Sequence, residues 1–256
     1  MKHTIRLISP DRFDAVLFDL DGVLTATAKV HAACWKKVFD DFLHKRAAMT
    51  DEAFEPFDIE TDYKLYVDGK PRYDGVAAFL ESRGIHLPYG DPDEAPNDKT
   101  ICGLGNRKNE MINQVLESDG VEVFSGSVAL VRHLRTQRIK TAVVSSSKNC
   151  EAVLRAAGIA DLFDLRVDGV VASRLQLAGK PAPDTFLKAA EQLGVEPQRA
   201  VVVEDAISGV QAGRNGGFGL VIGVDRKGGG QALRENGADV VVTDLKELIP
   251  RFPRET

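Results

Sequence analysis

Apolar residues along this chain arrive in two rhythms. Short uninterrupted runs end in turn-forming or charged residues: "AVLFDLD" at 15–21, "KTAVVSS" at 140–146, "RAVVVED" at 199–205, "FGLVIGV" at 218–224 and "ADVVVTD" at 238–244. Such runs suit strands buried on both faces. Between them lie amphipathic stretches with helical spacing: "VALVRHLRTQR", "NCEAVLRAAG", "PDTFLKAAEQLG" and "AISGVQAGRNGG". From Ser125 onward the two alternate, which implies βα units on a parallel sheet. "AVLFDLD" belongs to the same sheet, although about a hundred residues separate it from the next strand.

The character changes over that interval. "KVHAACWKKVFDDFLHKRA", "PRYDGVAAFLESRG" and "NRKNEMINQVLESDG" read as helices, and "LPYGDPDEAPNDKT", rich in Pro, Gly and Asp, reads as an exposed loop. The expectation is an α/β protein with a Rossmann-like parallel-sheet core, residues 1–27 plus 125–256, and an α-helical insertion over 28–124.

Composition narrows the partners. The chain has 256 residues, 43% hydrophobic and 28% charged, with a net charge of −5, ordinary values for a globular protein. No Lys/Arg block tracks a phosphate backbone, so nucleic acid is not expected. No segment approaches the ~18 apolar residues of a membrane span, and no apolar run near the start makes a secretory signal. Three widely spaced cysteines, Cys34, Cys102 and Cys150, fit neither a disulfide framework nor a zinc site. The expected setting is the cytoplasm, and the expected form a monomer.

Chemistry concentrates at the strand ends. In "VLFDLDG" the carboxylates of Asp19 and Asp21 stand two residues apart, which on a strand is one face. At ~4 Å they would repel by about 4 kcal/mol at an effective dielectric near 20, so a cation is expected between them. Parallel sheets gather ligands beyond the carboxyl ends of their strands. That brings in Ser145 from "VVSSSKN", Glu204 and Asp205 from "VVVEDAISG", and Lys180 from "GKPAPDTF". Oxygen donors at this density suit magnesium, and a carboxylate can take a phosphoryl group while a second moves the proton.

In order and spacing, "DLDGVLT", "VVSSS", "GKP" and "VVVED" resemble the four motifs of the haloacid dehalogenase superfamily, and the helical insertion resembles its cap. The resemblance implies Asp19 as nucleophile, Asp21 as acid/base, and Ser145 and Lys180 holding the transferred phosphoryl group. It also implies Mg2+ on the Asp19 side chain, the Asp21 carbonyl, Glu204 and Asp205. "TATAKVHAACW", "SSSKN" and "VDGKPRYDG" are similar to the superfamily's β-phosphoglucomutase-like branch of sugar phosphomutases and phosphatases. By that likeness Thr27 and His31 lie beside Asp21, Lys108 matches a cap lysine, and Arg72 with Ser147, Lys148 and Asn149 clasps a second phosphate of a small phosphorylated sugar. Ala26 departs from the acidic residue common in that branch, and "GKPR" from its specificity loop.

Other readings stand beside these. A sugar-phosphate phosphatase needs the same residues, and a receiver-type signalling module also presents an aspartate beside magnesium. Asp205 serves equally as a helix cap, and His31 and Trp35, four residues apart, pack together as readily as they serve catalysis. "GLGNRKN" at Gly103 lacks the third glycine and preceding strand of a dinucleotide loop. "DRKGGGQALRENG" reads as a loose turn into a helix, without chemistry.

Overall fold

Each apolar run finds parallel neighbours. A computed structural model describes residues 7–50, 53–226 and 228–250. Six strands form one sheet, β1 (Ala15–Phe18), β2 (Lys140–Val144), β3 (Leu165–Val167), β4 (Ala200–Glu204), β5 (Leu220–Val224) and β6 (Val240–Val242), in the order β3-β2-β1-β4-β5-β6. Every neighbouring pair is parallel. β1 is central and wholly buried, which is why its run is apolar without alternation.

The sheet unit runs to Ala26 and resumes at Glu122, and Thr27–Val121 form a second unit. The boundaries therefore lie one and three residues before the expected 28 and 124. The reason is local pairing. Ala26 N–H donates to Glu122 O at 2.9 Å, Phe124 N–H donates to Leu24 O at 3.0 Å, and Thr25 bridges Val123, so the returning chain is zipped to the outgoing one inside the sheet unit.

The second unit holds α1 (Ala28–Thr50), α2 (Arg72–Ser82) and α3 (Ile101–Asp119), with no strand among its described residues. A wide π-type turn over Ile59–Val67 was not foreseen; Asp58 caps it by accepting from Thr61 N–H at 2.8 Å. Its core is aromatic. Phe39 lies against Trp35, Phe57 and Phe79 at centroid distances of 5.1, 4.9 and 4.3 Å, contacts each contributing about 0.5–1.5 kcal/mol beyond buried area.

The sheet unit adds α4 (Ser125–Thr136), α5 (Cys150–Ala156), α6 (Gly169–Leu175), α7 (Asp184–Leu193), α8 (Ile207–Asn215) and α9 (Gly230–Glu235). Phe186, Ala189, Ala190 and Leu193 form one stripe of α7 at helical spacing and share a core with Leu17, Val144 and Val202. All three cysteines are free and buried. Among the described residues no helix is long and apolar enough to cross a membrane.

Candidate active site

Register brings the strand ends together. Phe18 pairs with Val143 and Val203, and Asp19 N–H donates to Val203 O at 2.9 Å. Asp19 thus leaves the sheet level with the ends of β2 and β4, where strand order reverses and ligands collect.

The chain then turns. Leu20 O accepts from the N–H of Leu24 and Thr25, at 2.9 and 3.0 Å, and from Thr25 Oγ1 at 3.2 Å, closing a turn that carries Asp21. The strand stops at Phe18, so the expectation that Asp19 and Asp21 share one strand face does not hold. Gly22 permits the turn: its φ is +88°, and a Cβ there would stand 1.9 Å from Asp205 Oδ2.

One carboxylate oxygen from each of Asp19, Glu204 and Asp205 lies within 4.8 Å of the other two. Lys180 offsets part of this charge. Its Nζ donates to Asp19 Oδ1 at 2.6 Å, to Val144 O at 3.2 Å and to Glu204 Oε1, and only 2% of the residue is exposed. Burial alone would lower the ammonium pKa, but Asp19 and Glu204 outweigh it and hold the pKa above the ordinary value. Burial pushes the Glu204 carboxyl up, against the pull of Lys180. Glu204 Oε2 accepts from the N–H of Asp205 and Ala206 at 3.1 and 3.2 Å.

The loop after β2 folds on its own hydroxyls. Ser145 Oγ accepts from Ser147 N–H and Ser147 Oγ from Asn149 N–H, both at 3.1 Å. Lys148 is exposed on this loop and Ser145 is buried. Beside the loop, burial, then the charges of Asp168, Asp21 and Asp19, push the Cys150 thiol well up.

The second unit groups its own candidates. Thr27 O accepts from His31 N–H at 2.9 Å. Lys108 Nζ lies 2.7 Å from His31 Nδ1 and 5.2 Å over the Trp35 ring. Burial, Lys108 and Arg72 hold the His31 pKa well below its usual range, so the imidazole is neutral and Nδ1 accepts. Arg72 donates to Asn109 Oδ1 at 2.6 Å and to Asn106 Oδ1 at 3.4 Å.

Three glycines of the site escaped the sequence reading. A Cβ on Gly209 would fall 1.9 Å from the Glu204 carboxyl carbon, and one on Gly169 would fall 2.7 Å from Ser146 O; Gly22 is the third. Glycine inside the amphipathic stretch of α8 was the available signal, since it is costly in a helix without a packing reason. The glycines of "GLG" pack too: Gly105 lets α3 approach Tyr73, and Gly103 approaches Asn97.

Residues 13–217 match the family described as haloacid dehalogenase-like hydrolase. A β-phosphoglucomutase of Mycobacterium bovis is 52% identical over 243 residues, 94% of this chain and 93% of that protein. A β-phosphoglucomutase of Bacillus subtilis is 31% identical, with 91% of each covered. The crystal structure of β-phosphoglucomutase from Clostridium difficile is similar with a TM-score of 0.70 at 25% identity, covering 92% of this chain and 93% of that one. With its sheet order, its strand-end carboxylates and a match across most of its length, the chain belongs to the haloacid dehalogenase-like hydrolase family.

Proposed function

We propose that the protein is a magnesium-dependent phosphoryl-transfer enzyme of the β-phosphoglucomutase kind, converting glucose 1-phosphate to glucose 6-phosphate through a phosphoryl group carried on Asp19. One observation carries the reading: Asp19, gripped by buried Lys180 at 2.6 Å, stands at the switch point of the sheet beside two further carboxylates. The likeness to β-phosphoglucomutases supplies the substrate class. Phosphorylated Asp19 first passes its phosphoryl group to the free hydroxyl of glucose 1-phosphate, the bond from Asp19 to phosphorus breaking as the hydroxyl oxygen takes phosphorus; an Asp19 oxygen then attacks the other phosphorus of the resulting bisphosphate as its bond to the sugar oxygen breaks. Asp21 gives that oxygen its proton and takes one from the next hydroxyl. Ser145 and Lys180 hold the phosphoryl oxygens. Arg72, Ser147, Lys148 and Asn149 bind the non-reacting phosphate, and Thr27, His31 and Lys108 contact the sugar phosphate.

The donor set fits a hard divalent cation, three carboxylates against one ammonium. Asp19, Asp205 and the Asp21 carbonyl would hold magnesium. Glu204 would be a fourth ligand of lower rank, since its oxygens already accept from Lys180 and two N–H groups. When bound, the ion offsets charge on the attacking carboxylate and the phosphoryl oxygens. The proposed setting is the cytoplasm, and the proposed form a monomer.

Phosphorus NMR with magnesium, β-glucose 1-phosphate and a priming amount of glucose 1,6-bisphosphate tests the reading. Glucose 6-phosphate is the expected product. Inorganic phosphate alone makes the protein a phosphatase, with water as the acceptor, and no turnover of either kind rejects the assignment.

A further inference from the structure

After β5, Asp225, Arg226 and the glycines 228–230 make built contacts. The Asp225 carboxylate accepts from the N–H groups of Gly228, Gly229 and Gly230, at 2.6, 2.9 and 3.0 Å, and so ties the loop to the start of α9. Arg226 joins three separate segments of the sheet unit, at residues 22–23, 124–127 and 243. Its Nε donates to Gly22 O at 3.2 Å, Nη2 to Val23 O at 3.4 Å and Ser127 Oγ at 3.3 Å, and Nη1 to Thr243 O at 2.9 Å. Its guanidinium carbon lies 3.9 Å over the Phe124 ring. Ser127 Oγ in turn donates to Val23 O at 2.6 Å.

These contacts converge on the turn that carries Asp21. Gly22, at φ +88°, rests so close to Asp205 that a Cβ has no room, so any shift of the turn alters the spacing of Asp21 and Asp205. Phe124 and Ser127 add the returning chain, which is zipped to residues 24–26. We propose that Arg226 is a positioning residue for the catalytic centre, fixing the turn over 20–25 against Asp205 through the carbonyls of Gly22 and Val23. The inference rests on the reading of Asp19, Asp21 and Asp205 as a phosphoryl-transfer centre. The fork of a guanidinium meets several acceptors while its face covers a ring; the point charge of lysine cannot do both. Burial lowers the Arg226 pKa and the charges of Asp244 and Asp205 oppose this, so the side chain also lies in the field of the acidic cluster.

The test uses the full-length protein as wild type, Arg226→Ala, Arg226→Lys and Ser127→Ala. Mn2+ affinity is read without substrate from the electron paramagnetic resonance of free Mn2+. kcat and KM for β-glucose 1-phosphate are measured with and without about 20 mM guanidinium chloride, far below denaturing concentrations. A displaced turn should cost Arg226→Ala at least about tenfold in kcat and threefold in Mn2+ affinity, with KM within about twofold. Guanidinium should recover part of the loss, and Arg226→Lys should remain impaired. Ser127→Ala should move the same quantities less, and decides the matter if Arg226→Ala does not fold. Unchanged kcat and Mn2+ affinity in the folded variants overturn the inference. So does a fall in kcat and melting temperature with normal Mn2+ affinity and no recovery, which makes Arg226 a brace for stability alone. A wild type that neither binds Mn2+ nor turns over ester refutes the reading of the centre itself, and the inference with it.

Discussion

Lys180 and Lys108 are both buried cations, 2% and 5% exposed, and the chain handles them in opposite ways. Lys180 meets carboxylates on both sides. Lys108 donates to a neutral imidazole and covers the Trp35 face, a cation–π contact worth about 0.5–2 kcal/mol. The second arrangement ties the proton balance of His31 to folding. Its folded pKa lies well below the ordinary 6.5, so below that pH the unfolded chain binds a proton that the folded chain does not. Stability supplied by neutral His31 is therefore complete above pH 6.5 and is lost on acidification, by up to about 1.4 kcal/mol per pH unit. Urea midpoints across this range should show that slope, and His31→Gln, whose amide oxygen can still accept from Lys108, should flatten it. Equal slopes in the two proteins would place the titration elsewhere.

At the scale of elements, the turn over 20–25 meets the link between β4 and α8 through Gly22. Gly22→Ala places a side chain at φ +88° and 1.9 Å from Asp205 Oδ2. The left-handed backbone alone costs ~1–2 kcal/mol, and relieving the clash must move either Asp205 or the turn. The variant should lose more than ~2 kcal/mol of stability in urea and most of its turnover; a fully active, equally stable variant would mean the turn is not fixed. Asp19, Glu204 and Asp205 were legible because β1 and β4 are uninterrupted apolar runs ending in chemistry that a solvated loop seldom concentrates, whereas Lys180, in the loop before α7, was legible only in combination with them. β3 and α6 were not, being three and seven residues long, too short to show a period, with Arg166 inside the strand. Nor was the turn after Asp19, since an alternation of Asp, Leu and Asp looks the same on a strand and on a turn. Arg226 escaped because its partners are mostly backbone carbonyls, which leave no mark on residue type.

For the whole molecule, the question is whether the two units serve one substrate with two phosphates or with one. A mutase must bind a second phosphate in either orientation of the sugar bisphosphate, whereas a phosphatase can work on a single group. Arg72 is the proposed distal contact on the helical unit, and burial lowers its pKa. Its hydrogen-bond partners there, Asn106 and Asn109, are neutral amides, which orient the guanidinium without cancelling its charge. A charge-assisted bond to phosphate contributes roughly 1.5–3 kcal/mol, or about one to two decades of rate when made in the transition state. Arg72→Ala should therefore slow isomerisation of glucose 1-phosphate at least about tenfold while leaving hydrolysis of acetyl phosphate, which has no distal group, nearly unchanged. Lys148→Ala, in the loop after β2, should behave alike. If the two grip one phosphate, the double variant loses less than the two single losses combined. Additive losses would assign them separate tasks. Equal losses on both substrates would place Arg72 in the folding of its own unit, and no loss on either would leave the mutase reading without its support from the helical unit.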